Sequence, residues 1–234
     1  MTRTPVLGKN GQMALDLPTR TLFGRQDFFV APCNREAVTL IDGIPNGFSG
    51  ALIYGPHGSG KTHLAHLFAD KAFRMSGKNA VFKTSQDLRE ADVGEIFQTS
   101  PYVVIENAGV NDDETALFHL LNGARDAGGF VLLTSETPYT RWDVTLPDLR
   151  SRLSALPVVG LGLPDDTVMR AVTLKLFADR QLDVSPDAVD YILKNVDRSF
   201  SAVCSLVDAA DKLSLAEKKQ ISIPLLRRFF QKAD

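Results

Sequence analysis

At 234 residues, with 44% hydrophobic and 23% charged side chains, the chain has the composition of a globular protein, with room for one large domain or two small lobes. A formal net charge of −2 supplies no basic field, so strong direct nucleic-acid binding is not expected. No apolar stretch approaches membrane-spanning length and the first residues carry no signal-peptide core, which predicts a cytoplasmic protein without membrane association. Cys33 and Cys204 lie far apart, fit a reducing compartment, and read as small buried side chains rather than reactive thiols.

Residues 1–21 are polar and rich in Gly, Pro, Thr and Lys, which predicts a flexible tail. Inside it stands Gln12-Met13-Ala14-Leu15-Asp16-Leu17-Pro18. Its apolar residues have no core to join, so they read as anchors for a partner's groove. The pattern of Gln12, Met13, Leu15 and Leu17 resembles the peptide by which replication proteins dock on the bacterial sliding clamp, the β subunit of DNA polymerase III. Asn34 then predicts an N-cap for a helix carrying Ala37, Val38, Leu40 and Ile41 and ending near Gly43. Pro45, Asn46 and Gly47 turn the chain into the next strand.

That strand, residues 51–54, leads into Gly55-Pro56-His57-Gly58-Ser59-Gly60-Lys61-Thr62, followed by a helical pattern with Leu64, Leu67, Phe68 and Ala72. A G-x-x-x-x-G-K-[ST] string between a strand and a helix is a P-loop. Its glycines let backbone N–H groups approach phosphate, and the helix N-terminus adds unpaired donors. Lys61 is expected on the outer phosphates and the Thr62 hydroxyl on Mg²⁺, with ADP or ATP as the ligand. His63 and His66 lie one turn apart, but with no third ligand in view they read as ordinary surface or core histidines.

Further strands are predicted over 80–83, 102–105 and 130–133, with a helical or irregular stretch through Leu88, Val93, Ile96 and Phe97 after the first of them. A helix from Asp112 carries Leu117, Leu120, Leu121 and Ala124 and stops at Gly128-Gly129. A last short strand covers 157–160. Strands alternating with helices imply an α/β fold with a parallel sheet and a ligand at the strands' carboxyl ends. From Leu163 the pattern is helical only: helices are expected from Asp165, from Ser185-Pro186, from about Ser199, and after Pro224. The expected organisation is a tail over 1–21, a nucleotide-binding base over 22–162 and a small helical lid over 163–234.

A P-loop protein needs an acid at the end of a neighbouring buried strand to hold Mg²⁺, and Glu106 closes the 102–105 run. Thr62 and Glu106 are thus the expected Mg²⁺ pair. The next residue, Asn107, cannot take a proton near neutral pH, so intrinsic hydrolysis should be slow. Arg152, in Leu-Pro-Asp-Leu-Arg-Ser-Arg-Leu, reads either as a surface arginine or as one that could reach a neighbouring subunit's γ-phosphate. Trp142, the one tryptophan, reads as core packing.

Taken together, DFFVAPCN, ALIYGPHGSGKTHLAHLFA, YVVIEN, LFHLLN, LLTSETP and LPDLRSRL resemble the AAA+ core of the DnaA replication-initiator family, from about Leu22 to the C-terminus. A short AAA+ chain with a clamp peptide and no helix-turn-helix domain resembles the Hda group of DnaA-related regulatory inactivators. The resemblance implies that residues 55–62 and Glu106 bind nucleotide, and that Ser135 and Glu136 lie in the sensor 1 region, where DnaA has an aspartate in place of that glutamate. It implies that Arg198, followed by Phe200 two positions on, is the sensor 2 arginine, a solvated arginine being the alternative. It also implies that Arg152 is an arginine finger acting in trans on DnaA-bound ATP, with DnaA and the sliding clamp as partners; a homo-oligomer is compatible with the fold. The alternatives are a self-sufficient AAA+ ATPase resembling the helicase loader DnaC, and a non-catalytic clamp or DNA adaptor.

Overall fold

The computed structural model describes residues 29–45, 47–109, 113–217 and 220–230. The predicted tail and its residues Gln12, Met13, Leu15 and Leu17 lie outside the described residues, as do Asn46 and Asp112.

Among the described residues, five strands form one wholly parallel sheet: β1 (Gly50–Tyr54), β2 (Val81–Thr84), β3 (Tyr102–Glu106), β4 (Phe130–Ser135) and β5 (Val158–Gly160). Their spatial order is β2-β3-β4-β1-β5, which puts the most apolar strands in the middle. Every residue of β4 is buried, as expected of a strand covered on both faces. β2 is an edge strand and its side chains stay partly exposed. Helices α1 (Arg35–Asp42), α2 (Lys61–Ser76), α3 (Val93–Thr99), α4 (Glu114–Asp126) and α5 (Pro147–Ser154) cover the two faces.

Strand side chains alternate between two cores, as the twofold period of a strand requires. Ala51, Ile53, Val104, Phe130 and Leu132 pack with α1 and α2. Leu52, Val103, Ile105, Val131 and Leu133 pack with α4 and α5 on the other face. Helices α6 (Asp166–Asp179), α7 (Pro186–Asn195), α8 (Phe200–Glu217) and α9 (Ile223–Phe230) follow, and they close a third core around Phe177, Ile192, Leu206 and Leu226. Among the described residues no helix is long and apolar enough to cross a membrane.

Local chemistry explains most of the boundaries. The side chains of Asp165 and Ser185 accept hydrogen bonds from the N–H groups of Val168 and Ala188, as N-caps do, and Pro186 occupies the first turn of α7. Asn34 precedes α1 as expected, but its side chain does not cap it. The carboxamide turns back, accepting from the Ala31 N–H at 2.8 Å and donating to the Phe29 carbonyl at 2.9 Å. α4 begins at Glu114, where Asp113 accepts from the Ala116 N–H at 3.0 Å. The Leu-Pro-Asp-Leu-Arg-Ser-Arg-Leu string forms helix α5, with Leu149 and Leu153 buried one turn apart.

Gly128 and Gly129 stop α4 for different reasons. Gly128 has φ +62°, with open space where a Cβ would go. A Cβ on Gly129 would lie 1.9 Å from the Pro101 carbonyl oxygen, a backbone atom with nowhere to move. Gly128→Ala is therefore expected to cost about 1 kcal/mol of left-handed strain. Gly129→Ala should cost about 3 kcal/mol by displacing β4 from the start of β3. Urea unfolding of the two variants checks the difference.

Candidate functional site

Parallel strands end on the same edge, and the register brings three of those ends level. Tyr54 pairs with Ser135, Ile105 with Leu133, and Glu106 with Thr84, so the ends of β1, β3 and β4 border one crevice. The loop of residues 55–60 rises from β1 into that crevice before α2 begins at Lys61.

The loop's shape depends on its glycines. Gly58 and Gly60 have φ +74° and +100°, the left-handed region where side chains are strained. At Gly55 a Cβ would come within 2.9 Å of Leu161 and 3.0 Å of the Ser59 hydroxyl. Ser59 is 2% exposed, and its hydroxyl oxygen has no hydrogen-bond partner among the described residues. The Lys61 ammonium crosses the loop and donates to the carbonyls of Gly55 at 2.7 Å and Pro56 at 2.9 Å. Burial holds its pKa below the usual lysine value, opposed by the charge of Glu136. A partly desolvated cation resting on neutral carbonyls, beside an unsatisfied buried hydroxyl, is a fit for an anionic phosphate chain. Pro56 and His57 form the exposed crest of the loop.

The Thr62 hydroxyl donates to Glu106 Oε1 at 2.8 Å, joining the first turn of α2 to the end of β3 across 44 residues of sequence. A hydroxyl and a carboxylate side by side are hard oxygen donors of the kind Mg²⁺ takes. Asn107 follows with φ +57° and is exposed. Asparagine tolerates that conformation, so β3 can turn away sharply while the Ala108 N–H binds the Thr134 carbonyl at 2.8 Å. His66, one turn beyond Thr62, stacks on Phe82 with ring centroids 5.0 Å apart.

Ser135 stands at the expected edge, but its hydroxyl is engaged locally. It donates to the Thr137 carbonyl at 2.6 Å and accepts from the Thr137 N–H at 3.1 Å. The neighbouring Glu136 is the residue whose charge reaches Lys61. Resemblance alone puts Ser135 and Glu136 in the sensor 1 region, and no pattern in the string announces the tight turn that uses the Ser135 hydroxyl.

The helical lid meets the P-loop directly. The Phe200 N–H donates to the Gly58 carbonyl at 3.0 Å. A Cβ on Gly58 would lie 2.6 Å from both Ser199 Cβ and Ser201 Oγ, and the Phe200 ring lies 3.5 Å from the same position on Gly60. Arg198, just before this contact, pairs with Asp166 of α6 at 3.0 Å. Both side chains are well exposed, at 67% and 70%, so the pair holds Arg198 only weakly and leaves it able to change partners.

Arg152 lies on α5 beside the buried Leu153, partly exposed, with no ion pair or side-chain hydrogen bond among the described residues. Arg150, two residues earlier, donates to the Val144 carbonyl and lies near Glu114. Both Glu114 oxygens are used: Oε1 accepts from the Thr145 N–H at 2.8 Å, and Oε2 from the Leu146 N–H at 2.6 Å. The Thr145 hydroxyl lies 3.1 Å from each. Trp142 packs against the core as expected, and its indole N–H also donates to the Thr137 carbonyl at 3.1 Å. Its ring lies so close to Gly109 that a Cβ there would come within 2.5 Å of it.

The sheet order, the P-loop, the acid at the end of β3 and the helical lid together define an AAA+ P-loop fold of the DnaA type. Domain III of the Thermotoga maritima replication initiator DnaA superposes with a TM-score of 0.75 at 17% identity, covering 87% of this chain and 93% of that one. AMPPCP-bound DnaA from Aquifex aeolicus gives 0.71 at 18% identity, covering 89% and 68%. The Thermotoga maritima RuvB Holliday junction branch migration motor gives 0.66 at 16% identity, covering 85% and 67%. Residues 165–230 match the family model described as "Hda, lid domain". The helical region is thus similar to the lid domain of Hda, and the fold as a whole to the AAA+ domain of DnaA. The chain is also 27% identical over 184 residues to an uncharacterized protein of Haemophilus influenzae, covering 75% of this chain and 79% of that one.

One pH effect follows from Glu114. Burial pushes its pKa up, but the Thr145 and Leu146 N–H groups, the Thr145 hydroxyl and the Arg150 charge together bring it below the ordinary 4.5. A carboxyl lowered on folding contributes stability that is fully present above its unfolded pKa and lost as pH falls through the folded value. The stability advantage of the wild type over Glu114→Gln at pH 7 should therefore shrink as the pH drops below 4.5, as read by urea unfolding across that range.

Proposed function

We propose that this protein is a clamp-tethered regulator that promotes hydrolysis of DnaA-bound ATP in trans, leaving DnaA in its inactive ADP form. Residues 22–162 are the nucleotide-binding base, residues 163–234 the lid, and residues 1–21 the tail that docks on the sliding clamp through Gln12, Met13, Leu15 and Leu17. Tethering to a clamp raises the effective concentration only where DNA has just been replicated.

The observation that carries the reading is the contrast between two arginines on one helix. Arg150 is engaged by Val144 and faces Glu114, whereas Arg152 has no partner among the described residues. A guanidinium of this kind can neutralise charge developing on a phosphoryl group held by a neighbouring subunit. Within the chain itself, residues 55–62 with Glu106 would hold ADP or ATP, and Arg198 would exchange Asp166 for the phosphates. Thr62 and Glu106 would hold Mg²⁺, which neutralises phosphate charge when bound. Ser135 contributes by shaping the turn that presents Glu136 to Lys61. Asn107 cannot act as a general base, so the bound nucleotide is structural and the chain's own turnover is weak.

The test is hydrolysis of ATP held by DnaA, with DNA-loaded clamp and this protein added. Wild type should stimulate it. Arg152→Ala should abolish the stimulation, a loss on the order of a thousandfold for a finger arginine. Gln12→Ala combined with Leu15→Ala, or omission of the clamp, should raise the concentration of protein required. Stimulation that survives Arg152→Ala would overturn the mechanism, and rapid turnover by the purified chain alone would favour a self-sufficient ATPase.

A further inference from the structure

Helix α5 is short and poorly equipped to hold its own position. It has eight residues and its N-cap is Leu146, whose side chain accepts nothing, so that Pro147 at the first position is its one local start signal. Leu149 and Leu153 fix one face to the core, and burial along a single stripe resists rocking about that stripe least. A helix with its side chains is about 10 Å across, so rocking by about 10° about that stripe would swing the tip of a long side chain by up to roughly 1.7 Å. A group that stabilises charge in a transition state must be held within about 0.5 Å. Something outside α5 has to supply that constraint.

We propose that Glu114 is the positioning residue that holds α5, and with it Arg152, in working geometry. The inference rests on the finger reading given above. Glu114 opens α4, a helix of thirteen residues with Ala116, Leu117, Leu120, Leu121 and Ala124 buried, so its backbone is firmly set. Its carboxylate reaches across 31 and 32 residues of sequence to take the two N–H groups just ahead of α5, those of Thr145 and Leu146. These are charge-assisted bonds, stronger than neutral ones, and they place a negative charge where the dipole of α5 favours it. The same carboxylate faces Arg150, which is also tied to Val144, so the nearer arginine is used up in the brace and the farther one is left open. Trp142 fastens the other end of the segment, through Thr137 and against Gly109. The five residues 142–146 are therefore pinned at both ends, and Arg152 is held ready before any partner arrives. Donors fixed in advance need no reorganisation when the reaction occurs.

The test uses the full-length chain, DNA-loaded clamp and DnaA·ATP. It compares wild type, Glu114→Ala, Glu114→Gln and Arg152→Ala for maximal stimulation, half-saturating concentration and melting temperature. Glu114→Ala should lower maximal stimulation about tenfold with less than a twofold change in half-saturation, because docking persists while the guanidinium is misplaced. Glu114→Gln, which keeps one acceptor oxygen, should recover part of that loss. Wild-type stimulation by Glu114→Ala alongside an inactive Arg152→Ala would sink the positioning role and leave the finger reading standing. A change in half-saturation alone would make Glu114 a docking residue, and loss of the melting transition in both Glu114 variants would make it a general structural one; either overturns the proposal. Full activity of Arg152→Ala would remove the finger reading, and the proposal with it.

Discussion

The parallel register of the central strands is the constraint on which the rest of the molecule depends. Pairing β1 to β4 with Tyr54 opposite Ser135, and β4 to β3 with Leu133 opposite Ile105, brings three chain segments to one edge at one height. A slip of one residue would turn every strand side chain to the opposite core and move Glu106 away from Thr62. The two cores enforce the register, because Ala51, Ile53 and Leu132 fit against α1 and α2 while Leu52, Val131 and Leu133 fit against α4 and α5. Hydrophobic burial on both faces therefore fixes polar groups at the rim to within a hydrogen bond. The 2.8 Å contact between Thr62 and Glu106 is the product of that packing rather than its cause.

Much of this was legible in the chain before any coordinates. Continuous apolar runs at 102–105 and 130–133 announce strands covered on both faces, and the glycine-rich string between a strand and a helix announces the P-loop. Asp165 and Ser185-Pro186 mark helix starts by side-chain chemistry that acts locally, so the sequence suffices to place them. Helices α6 to α9 fill the stretch after Leu163 that reads as helical only.

What was not legible depends on contacts distant in sequence or on competition between nearby partners. Asn34 looks like a cap, yet the Ala31 N–H and the Phe29 carbonyl take its side chain first. The turn at Ser135, whose hydroxyl bonds both polar backbone groups of Thr137, carries no signature in the string. Glu114 carries no motif, because its meaning lies 31 residues away at Thr145. Helix α5 has eight residues and weak amphipathic patterning, and what holds it is the brace from α4 rather than its own propensity.

The lid has a hydrophobic core of its own, built around Phe177, Leu206 and Leu226, yet it touches the P-loop through the Phe200 amide and the two flanking serines. Two bodies that fold around separate cores but share a contact at a ligand loop are thermodynamically linked. A ligand that reshapes the loop at Gly58 shifts the balance of lid positions. By reciprocity, a protein that grips the lid in one position changes how firmly the loop keeps its ligand, by the same factor. A nucleotide held in that loop would thus be tightened or released from outside, without anything entering the crevice.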